Sequence, residues 1–252
     1  MKNTSDYIAV FDSGVGGVSV LRQLRQVLPK ENFLYYGDCA NAPYGSRSTQ
    51  EVRQLTLAAA EKIITQFPVK ALVVACNTAT AAAITDLREK YQDLIVIGIE
   101  PALKLAADRF PGGRIGVMAT EVTLREEKFD ILLRQFPDCR VEKIPAPGLV
   151  QLIEAGKADA PETQELLQKL LGRYAGKLDA LVLGCTHYPF VSHQISRILG
   201  DHCALLDGGD GTARQTQRRL AQAGLLSDGD GRLVICSSAD ALALQKLAAQ
   251  YL

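Results

Sequence analysis

Short runs of aliphatic and β-branched residues alternate along the chain with longer segments in which apolar residues recur every three or four positions. This alternation is typical of βαβ units, in which crossover helices join parallel strands. Most of the short runs are almost wholly apolar, as expected for strands that helices cover on both faces. The pattern therefore predicts an α/β fold with mainly parallel sheets.

Nine strands are predicted, at residues 8–11, 32–36, 71–75, 95–98, 114–119, 140–144, 180–183, 204–206 and 233–236. Helices are predicted between them, at residues 18–28, 50–67, 79–91, 124–136, 162–174, 211–223 and 239–251. Thr49 precedes the second of these helices and is its predicted N-cap, because a threonine hydroxyl can accept a hydrogen bond from the first helical turn.

The number of strands allows one sheet or two smaller ones. Ile99-Glu100-Pro101 and Leu206-Asp207-Gly208-Gly209 have the composition of crossover segments between domains. We predict two similar α/β domains with mainly parallel sheets that face each other across a central cleft. The first would be discontinuous, with residues 1–99 and 208–252, and the second would hold residues 100–207.

Composition and charge limit the kinds of molecule that the protein is expected to bind. Among 252 residues, 28 Lys and Arg balance 28 Asp and Glu, so no net field favours nucleic acid or anionic lipid, and a small molecule is the expected partner. No apolar run approaches the ~20 residues of a membrane-spanning helix, and the N-terminal residues lack the pattern of a signal peptide. We therefore expect a cytoplasmic protein that requires neither nucleic acid nor membrane.

Two of the six cysteines share a sequence context. Cys76 and Cys185 each follow an apolar predicted strand, and each precedes small hydrogen-bonding residues. Ligands of open α/β sheets bind at the carboxyl ends of strands, where a following helix would favour an anion or a thiolate. A domain's length separates the two, so they can act together only across a cleft. We interpret them as paired acid/base groups and the others as small buried residues: Cys39, Cys139, Cys203 and Cys236.

Two loops after predicted strands carry further candidate contacts. Asp12-Ser13-Gly14-Val15-Gly16-Gly17 could bring backbone N–H groups to a carboxylate or ammonium ligand, or could be a simple tight turn. It lacks the spacing of a dinucleotide fingerprint, and Asp12 would repel a pyrophosphate. Pro43-Tyr44-Gly45 in the loop after the second strand is either a ligand contact or a plain turn.

Four motifs occur together and in this order: Asp12-Ser13-Gly14-Val15-Gly16-Gly17, Pro43-Tyr44-Gly45, Ala75-Cys76-Asn77-Thr78-Ala79-Thr80 and Gly184-Cys185-Thr186-His187-Tyr188-Pro189. In this combination the chain resembles the glutamate racemases of the aspartate/glutamate racemase superfamily over nearly its whole length. The resemblance implies a racemase without a cofactor, with two α/β domains around a cleft. It also implies that the partners are L-glutamate and D-glutamate and that D-glutamate is made for bacterial peptidoglycan.

The resemblance also implies roles for individual residues. Cys76 and Cys185 match the two catalytic thiols, and Asp12, Asp38, Glu154 and His187 match the acids and the histidine that assist proton transfer. Further residues match the substrate-binding positions: Asp12, Ser13, Pro43, Tyr44, Gly45, Asn77, Thr78, Thr120, Thr123, Thr186 and His187. Tyr188 and Pro189 are expected to be structural. Arg125-Glu126-Glu127-Lys128-Phe129 departs from the serine and tyrosine common in the family, so no substrate contact or interface role is carried over to it.

Two thiols also suit the reaction on chemical grounds. Racemisation removes the α-proton from one face of the substrate and returns a proton to the other, so acid/base groups on opposite faces avoid turning the intermediate over. Backbone N–H groups at the helix starts after Cys76 and Cys185, with Asn77, Thr78 and Thr186, would bind the carboxylate as it gains enolate character.

Other functions remain open at this point. An aspartate racemase, a related decarboxylase or a hydantoin racemase would share the cleft, although aspartate racemases typically carry an acid where His187 stands. A non-catalytic amino-acid-binding protein would explain a cleft but would not need two thiols. A metal site of Cys76, Cys185 and His187 has poor ligand spacing, so no metal is expected. A homodimer is expected as the general default for soluble enzymes.

Overall fold

The computed structural model describes residues 2–125 and 127–252. The chain divides into two compact units, the first made of Met1–Glu100 and Gly209–Leu252 and the second of Pro101–Gly208.

Nine strands form within the described residues, and each overlaps one of the predicted runs, which confirms those predictions. In chain order they are β1 (Tyr7–Asp12), β2 (Phe33–Gly37), β3 (Val69–Val74), β4 (Ile95–Gly98), β5 (Arg114–Ala119), β6 (Arg140–Pro145), β7 (Ala180–Gly184), β8 (Ala204–Asp207) and β9 (Leu233–Ser237).

The helices lie between the strands. In chain order they are α1 (Val18–Val27), α2 (Thr49–Gln66), α3 (Asn77–Lys90), α4 (Leu103–Arg109), α5 (Glu121–Arg125), α6 (Glu127–Arg134), α7 (Leu149–Glu154), α8 (Pro161–Leu171), α9 (Ser192–Leu199), α10 (Gly209–Gln222) and α11 (Ala241–Ala248). Short 3₁₀ helices form at Tyr44–Ser46, Gly172–Tyr174 and Tyr188–Val191. No helix in the described ranges combines the length and apolarity needed to span a bilayer.

Each unit contains one parallel sheet. The first has the strand order β4-β3-β1-β2-β9, and the second has the order β6-β5-β7-β8. Every pair of neighbouring strands is parallel. The predicted α/β fold with two mainly parallel sheets is therefore confirmed.

Helices bury both faces of the first sheet. Alternate strand residues such as Phe11 and Leu72 pack with apolar residues of α2 and α3, including Val52, Ile63 and Leu87. The intervening residues of β1, β2 and β3 are also buried, whereas β9 at the sheet edge is half-buried, and α1 packs against α10. The segment after Gly208 thus completes the first unit.

The second unit is built in the same way. Val117 of β5 and Val182 of β7 lie in one apolar cluster with Leu103 of α4 and Leu124 of α5. Because strands β5 and β7 are neighbours, the residues that follow them emerge side by side at one edge of the sheet.

Several predicted helix ends are wrong. Ser48, not Thr49, is the N-cap of α2: its hydroxyl accepts a hydrogen bond from Glu51 N–H, and the Glu51 carboxylate accepts one from Ser48 N–H. This capping box outweighs the preference of threonine for the same position. The single helix predicted over 124–136 corresponds to α5 and α6, with residue 126 outside the described residues, and the helix predicted over 162–174 ends as a 3₁₀ turn.

An ion pair lies inside the first unit, at the start of β3. The Lys70 ammonium and the Glu31 carboxylate are both buried and lie 2.5 Å apart. Lys70 also donates to the carbonyls of Thr4 and Leu225, and Glu31 accepts a hydrogen bond from Ser227 N–H at 2.9 Å. The pair therefore joins the N-terminal segment and the segment after α10 to the centre of the sheet.

Candidate active site

The carboxyl edge of the first sheet gathers one group of candidate residues. Asp12 is paired with Gly37 across β1 and β2, and Phe11 is paired with Val74 across β1 and β3. The residues that follow these strands therefore emerge next to one another: Asp12 and Ser13, Asp38, and Cys76.

Cys76 is the N-cap of α3, which begins at Asn77, two residues before the predicted start of this helix at residue 79. Its Sγ accepts a hydrogen bond from Ala79 N–H at 3.4 Å, and Ser13 Oγ lies 3.7 Å from the same sulfur. The side chain is 5% exposed. The positive end of the α3 dipole and the donated N–H stabilise a thiolate at this position.

The glycine turn after β1 is fixed by buried polar groups. The Asp12 carboxylate accepts a hydrogen bond from Gly14 N–H at 2.9 Å, and the Tyr35 hydroxyl donates to Gly14 O at 2.6 Å. A Cβ atom at Gly17 would lie 2.6 Å from Asp12 Cβ. The glycine is needed because helix α1 begins in contact with Asp12, so the turn holds Asp12 and Ser13 at the sheet edge.

Asp38 and Tyr44 form a second buried contact in the first unit. The Tyr44 hydroxyl donates to Asp38 Oδ2 at 2.6 Å, and the Asn41 amide donates to the same carboxylate at 3.1 Å. Burial raises the pKa of Tyr44 strongly, and the charges of Asp38, Cys76 and Asp12 raise it further. Tyr44 therefore stays protonated and remains a donor, flanked by the partly buried Pro43 and Gly45.

Asn77 and Thr78 begin helix α3 and are both buried. Asn77 Oδ1 is buried and accepts no hydrogen bond from the residues that the structure describes. A buried carbonyl oxygen is costly to leave without a donor, so this atom is a ready acceptor for an ammonium or N–H group of a ligand.

The second unit carries a chain of three side chains. Cys185 follows β7, and its Sγ lies 3.6 Å from His187 Nδ1, while His187 Nε2 lies 2.6 Å from Glu154 Oε1 at the end of α7. Burial lowers the pKa of His187, but the contacts with Cys185 and Glu154 outweigh it and raise the pKa well above its ordinary value. The imidazole is thus held as a cation between a thiol and a carboxylate.

The helix expected directly after Cys185 is not there. The chain instead makes a turn at Thr186 and His187, then a 3₁₀ helix at Tyr188–Val191, and α9 begins only at Ser192. Pro189, which cannot donate a backbone hydrogen bond, stands in this segment. The charge next to Cys185 therefore comes from His187, whereas the charge next to Cys76 comes from a helix.

Thr120 and Thr123 lie beside Cys185 in the second unit. Thr120 follows β5, whose Ala119 pairs with Gly184 of β7, and both threonines are buried. Their hydroxyl oxygens are 3.0 Å apart, and Thr123 N–H donates to Thr120 Oγ1 at 3.3 Å. Thr186, directly after Cys185, is also buried.

Other candidate residues lie elsewhere. His193 and His202 are exposed, as expected. In the segment Arg125-Glu126-Glu127-Lys128-Phe129, residue 126 lies outside the described residues, and Phe129 packs into the apolar cluster of the second unit. Among residues 2–125 and 127–252, no three His, Cys, Asp or Glu side chains come together as a metal site.

Sequence analysis did not single out two residues that hydrogen-bond to the candidate site of the first unit. Asn41 donates to Asp38, and Tyr35 donates to the glycine turn. Asn41 lies in a loop rich in turn residues, where an amide has many possible partners. Tyr35 could have been found, because its hydroxyl in a fully buried strand requires a hydrogen-bond partner.

Comparison with known proteins gives consistent matches. The sequence model of the Asp/Glu/Hydantoin racemase family matches residues 8–216. Glutamate racemase from Clostridium acetobutylicum is 48% identical over 235 residues, which cover 92% of this chain and 91% of that protein.

Solved structures of glutamate racemases superpose on almost the full length of this chain. A glutamate racemase isoform from Bacillus anthracis superposes with a TM-score of 0.89 at 31% identity, covering 99% of this chain and 94% of that one. The glutamate racemase of Escherichia coli, solved with L-glutamate and the activator UDP-MurNAc-ala, superposes with a TM-score of 0.86 at 30% identity and covers 98% and 95% of the two chains.

Proposed function

Because the chain belongs to the Asp/Glu/Hydantoin racemase family and is thereby a racemase, we propose that it interconverts L-glutamate and D-glutamate. The observation that carries the proposal is that Cys76 and Cys185 each follow a buried strand and each lie beside a different source of positive charge. The glutamate racemase at 48% identity and the Escherichia coli relative solved with L-glutamate support glutamate as the substrate.

The two thiols would work as a pair of bases without a cofactor. One thiolate removes the α-proton, and the thiol on the opposite face donates a proton to the same carbon; the roles reverse for the other enantiomer. The proposal requires Cys76 and Cys185 to reach opposite faces of one bound substrate. Protein and substrate supply every proton, so no redox or metal step is needed.

Each thiol has a means to ionise in its own unit. The start of α3 and the Ala79 N–H favour the Cys76 thiolate. The His187 cation favours the Cys185 thiolate, and Glu154 in turn orients and stabilises that cation. Asp12 and Ser13 would assist proton transfer at Cys76, where Ser13 Oγ lies 3.7 Å from the sulfur.

The remaining predicted residues would bind the substrate. Asn77 Oδ1 suits the ammonium group, because a buried acceptor without a donor gains most from a charged one. Backbone and hydroxyl groups at the two sheet edges would bind the carboxylates and stabilise the enolate character of the transition state: Ser13, Pro43, Tyr44, Gly45, Thr78, Thr120, Thr123 and Thr186.

The cellular setting is part of the proposal. D-glutamate would be used in peptidoglycan synthesis, and the enzyme would act in the cytoplasm as a homodimer. The resemblance to bacterial glutamate racemases supports the peptidoglycan role, and the default symmetry of soluble enzymes supports the dimer.

The reaction is tested by incubating the reduced protein with L-glutamate in D₂O, with L-aspartate in parallel. Optical rotation follows racemisation, and NMR follows deuterium at Cα. We expect racemisation of glutamate, with deuterium in newly formed D-glutamate while the remaining L-glutamate keeps its proton at early times. Early deuterium in the L-glutamate pool would contradict the two-base mechanism, and conversion of aspartate instead would overturn the substrate.

Single-thiol variants test which cysteines act. Cys76→Ser and Cys185→Ser should each lower kcat/KM by about 10²–10⁴-fold, the range that a positioned acid or base contributes. Cys139→Ser is the matched control, because Cys139 packs in the apolar cluster of the second unit, and should leave kcat/KM near its wild-type value. Full activity in either single-thiol variant would remove that cysteine from the mechanism.

A further inference from the structure

The Tyr188 hydroxyl is a buried polar group that the proposed mechanism does not use. Tyr188 is fully buried, and its oxygen makes no hydrogen bond of normal geometry with any residue that the structure describes. Most buried polar atoms have a partner, because removing one from water without a hydrogen bond costs free energy. The Tyr188 hydroxyl is therefore a buried donor whose hydrogen bond is not well formed in this structure.

The local backbone keeps Tyr188 close to Cys185. Tyr188 N–H donates to Cys185 O at 3.1 Å, which closes the turn between β7 and the 3₁₀ helix. The hydroxyl lies near the Cys185 sulfur: burial raises the pKa of Tyr188 well above its ordinary value, and the charge of Cys185 and a poorly aligned side-chain hydrogen bond with it raise the pKa further. Tyr188 therefore keeps its proton at neutral pH and is available as a donor.

We propose that Tyr188 is a positioning residue whose hydroxyl donates a hydrogen bond to Cys185 Sγ when that sulfur is a thiolate. A thiolate accepts a stronger hydrogen bond than a thiol, so the contact forms as Cys185 loses its proton and weakens as it regains one. The tyrosine proton is not transferred. The inference rests on the proposed function, since it assigns proton transfer to Cys185.

Tyr188 would complete the surroundings of the Cys185 charge. His187 Nδ1 lies 3.6 Å from the sulfur and is backed by Glu154, while Tyr188 approaches from the 3₁₀ helix. His187 and Tyr188 both interact with Cys185, and Glu154 contacts it through His187. His187 supplies the positive charge, and Tyr188 adds a neutral donor whose direction its packed ring fixes.

The test is Tyr188→Phe, which removes only the hydroxyl. The readout is alkylation of Cys185 by iodoacetamide as a function of pH, resolved by mass spectrometry of the Cys185 peptide. We expect the midpoint of alkylation to rise by about one pH unit, since a hydrogen bond to a charged group shifts such an equilibrium by about ten-fold. Tyr174→Phe, at a buried tyrosine of the same unit that contacts Arg173, is the matched control and should not move the midpoint.

Thermal unfolding and activity complete the test. Because the hydroxyl makes no hydrogen bond of normal geometry with the described residues, Tyr188→Phe should unfold at the same or a higher temperature, whereas loss of a well-formed structural hydrogen bond would lower Tm. In a racemase the two enantiomers are equally stable, so kcat/KM should fall by the same factor, about ten-fold, in both directions.

An unchanged alkylation midpoint in folded Tyr188→Phe would overturn the positioning role. If that variant does not fold, a fluorotyrosine at position 188 with fluorine ortho to the hydroxyl replaces it. The fluorine makes the hydroxyl a stronger donor and should lower the midpoint, and no shift would again overturn the proposal. Alkylation does not depend on turnover, so failure of the wild-type protein to racemise glutamate would instead reject the proposed function.

Discussion

At the scale of single residues, the charge on His187 links the three side chains of the second unit, Cys185, His187 and Glu154. Burial alone would keep this imidazole neutral, and its contacts with Cys185 and Glu154 raise its pKa. Deleting either neighbour removes part of the reason why His187 holds its proton. The three side chains therefore behave as a unit, and effects of their substitution should not add.

The raised pKa of His187 makes stability depend on pH. Folding takes up a proton where the folded pKa exceeds the unfolded one, so the stabilisation is fully present below the ordinary value of about 6.5 and is lost as pH rises through the folded value. Urea unfolding of the wild type and of His187→Asn from pH 6 to pH 9 should show a wild-type advantage that shrinks as pH rises. A constant difference would contradict a raised pKa.

The contacts of these residues differ in how far sequence predicts them. Cys76 and Cys185 stand out because an apolar strand delivers each one to a sheet edge. Glu154 carries no such signal, since a glutamate on a helix is usually solvated, and only the family resemblance indicated it. Its contact with His187, 33 residues away, depends on how α7 packs, which no local pattern encodes.

At the scale of elements, the junction between β1 and α1 shows how a helix start fixes a site residue. Gly17 lies so close to Asp12 that this position has no room for a side chain. Strand positions were predicted well because fully apolar runs are distinctive. Helix ends were predicted less well, because Ser48 and Thr49 are both good caps and only the reciprocal bond with Glu51 distinguishes them.

Gly17→Ala should disturb Asp12. The new Cβ would lie 2.6 Å from Asp12 Cβ and 3.0 Å from the Tyr35 hydroxyl, and both atoms are buried, so the turn must shift. We expect a loss of about 1–3 kcal/mol in the free energy of unfolding and lower racemase activity. Gly211→Ala is the control, because a Cβ there meets nothing within 4 Å. Equal behaviour of the two variants in urea unfolding and in kcat/KM would contradict the steric account.

At the scale of the whole molecule, the first unit depends on distant parts of the chain. The buried pair of Lys70 and Glu31 binds the carbonyls of Thr4 and Leu225 and the N–H of Ser227. Apart from Leu225 and Ser227, which lie two residues apart, these residues are distant from one another in sequence, and neither charged residue shows in the sequence that it will be buried. This buried ion pair and its hydrogen bonds could therefore not be predicted from the pattern of hydrophobic and polar residues.

Breaking this pair should be costly. Lys70→Met and Glu31→Leu each leave one charge buried without its partner, and each should lower the free energy of unfolding by about 3–5 kcal/mol, whereas the double variant should cost less than the sum. Glu61→Gln, in the exposed pair with Lys90, is the control and should cost about 1 kcal/mol or less. Urea unfolding of these four variants and of the wild type gives each free energy of unfolding. If the effects of the two single substitutions add up in the double variant, the buried charges do not interact.

The discontinuity of the first unit also bears on synthesis. The second unit is one uninterrupted segment, Pro101–Gly208, whereas the first lacks α10, β9 and α11 until residues beyond 208 have left the ribosome. Domains fold as units during translation, so the second unit can fold while the first unit still lacks its C-terminal elements. We therefore expect Cys185 to reach its native surroundings before Cys76, although Cys76 is translated first.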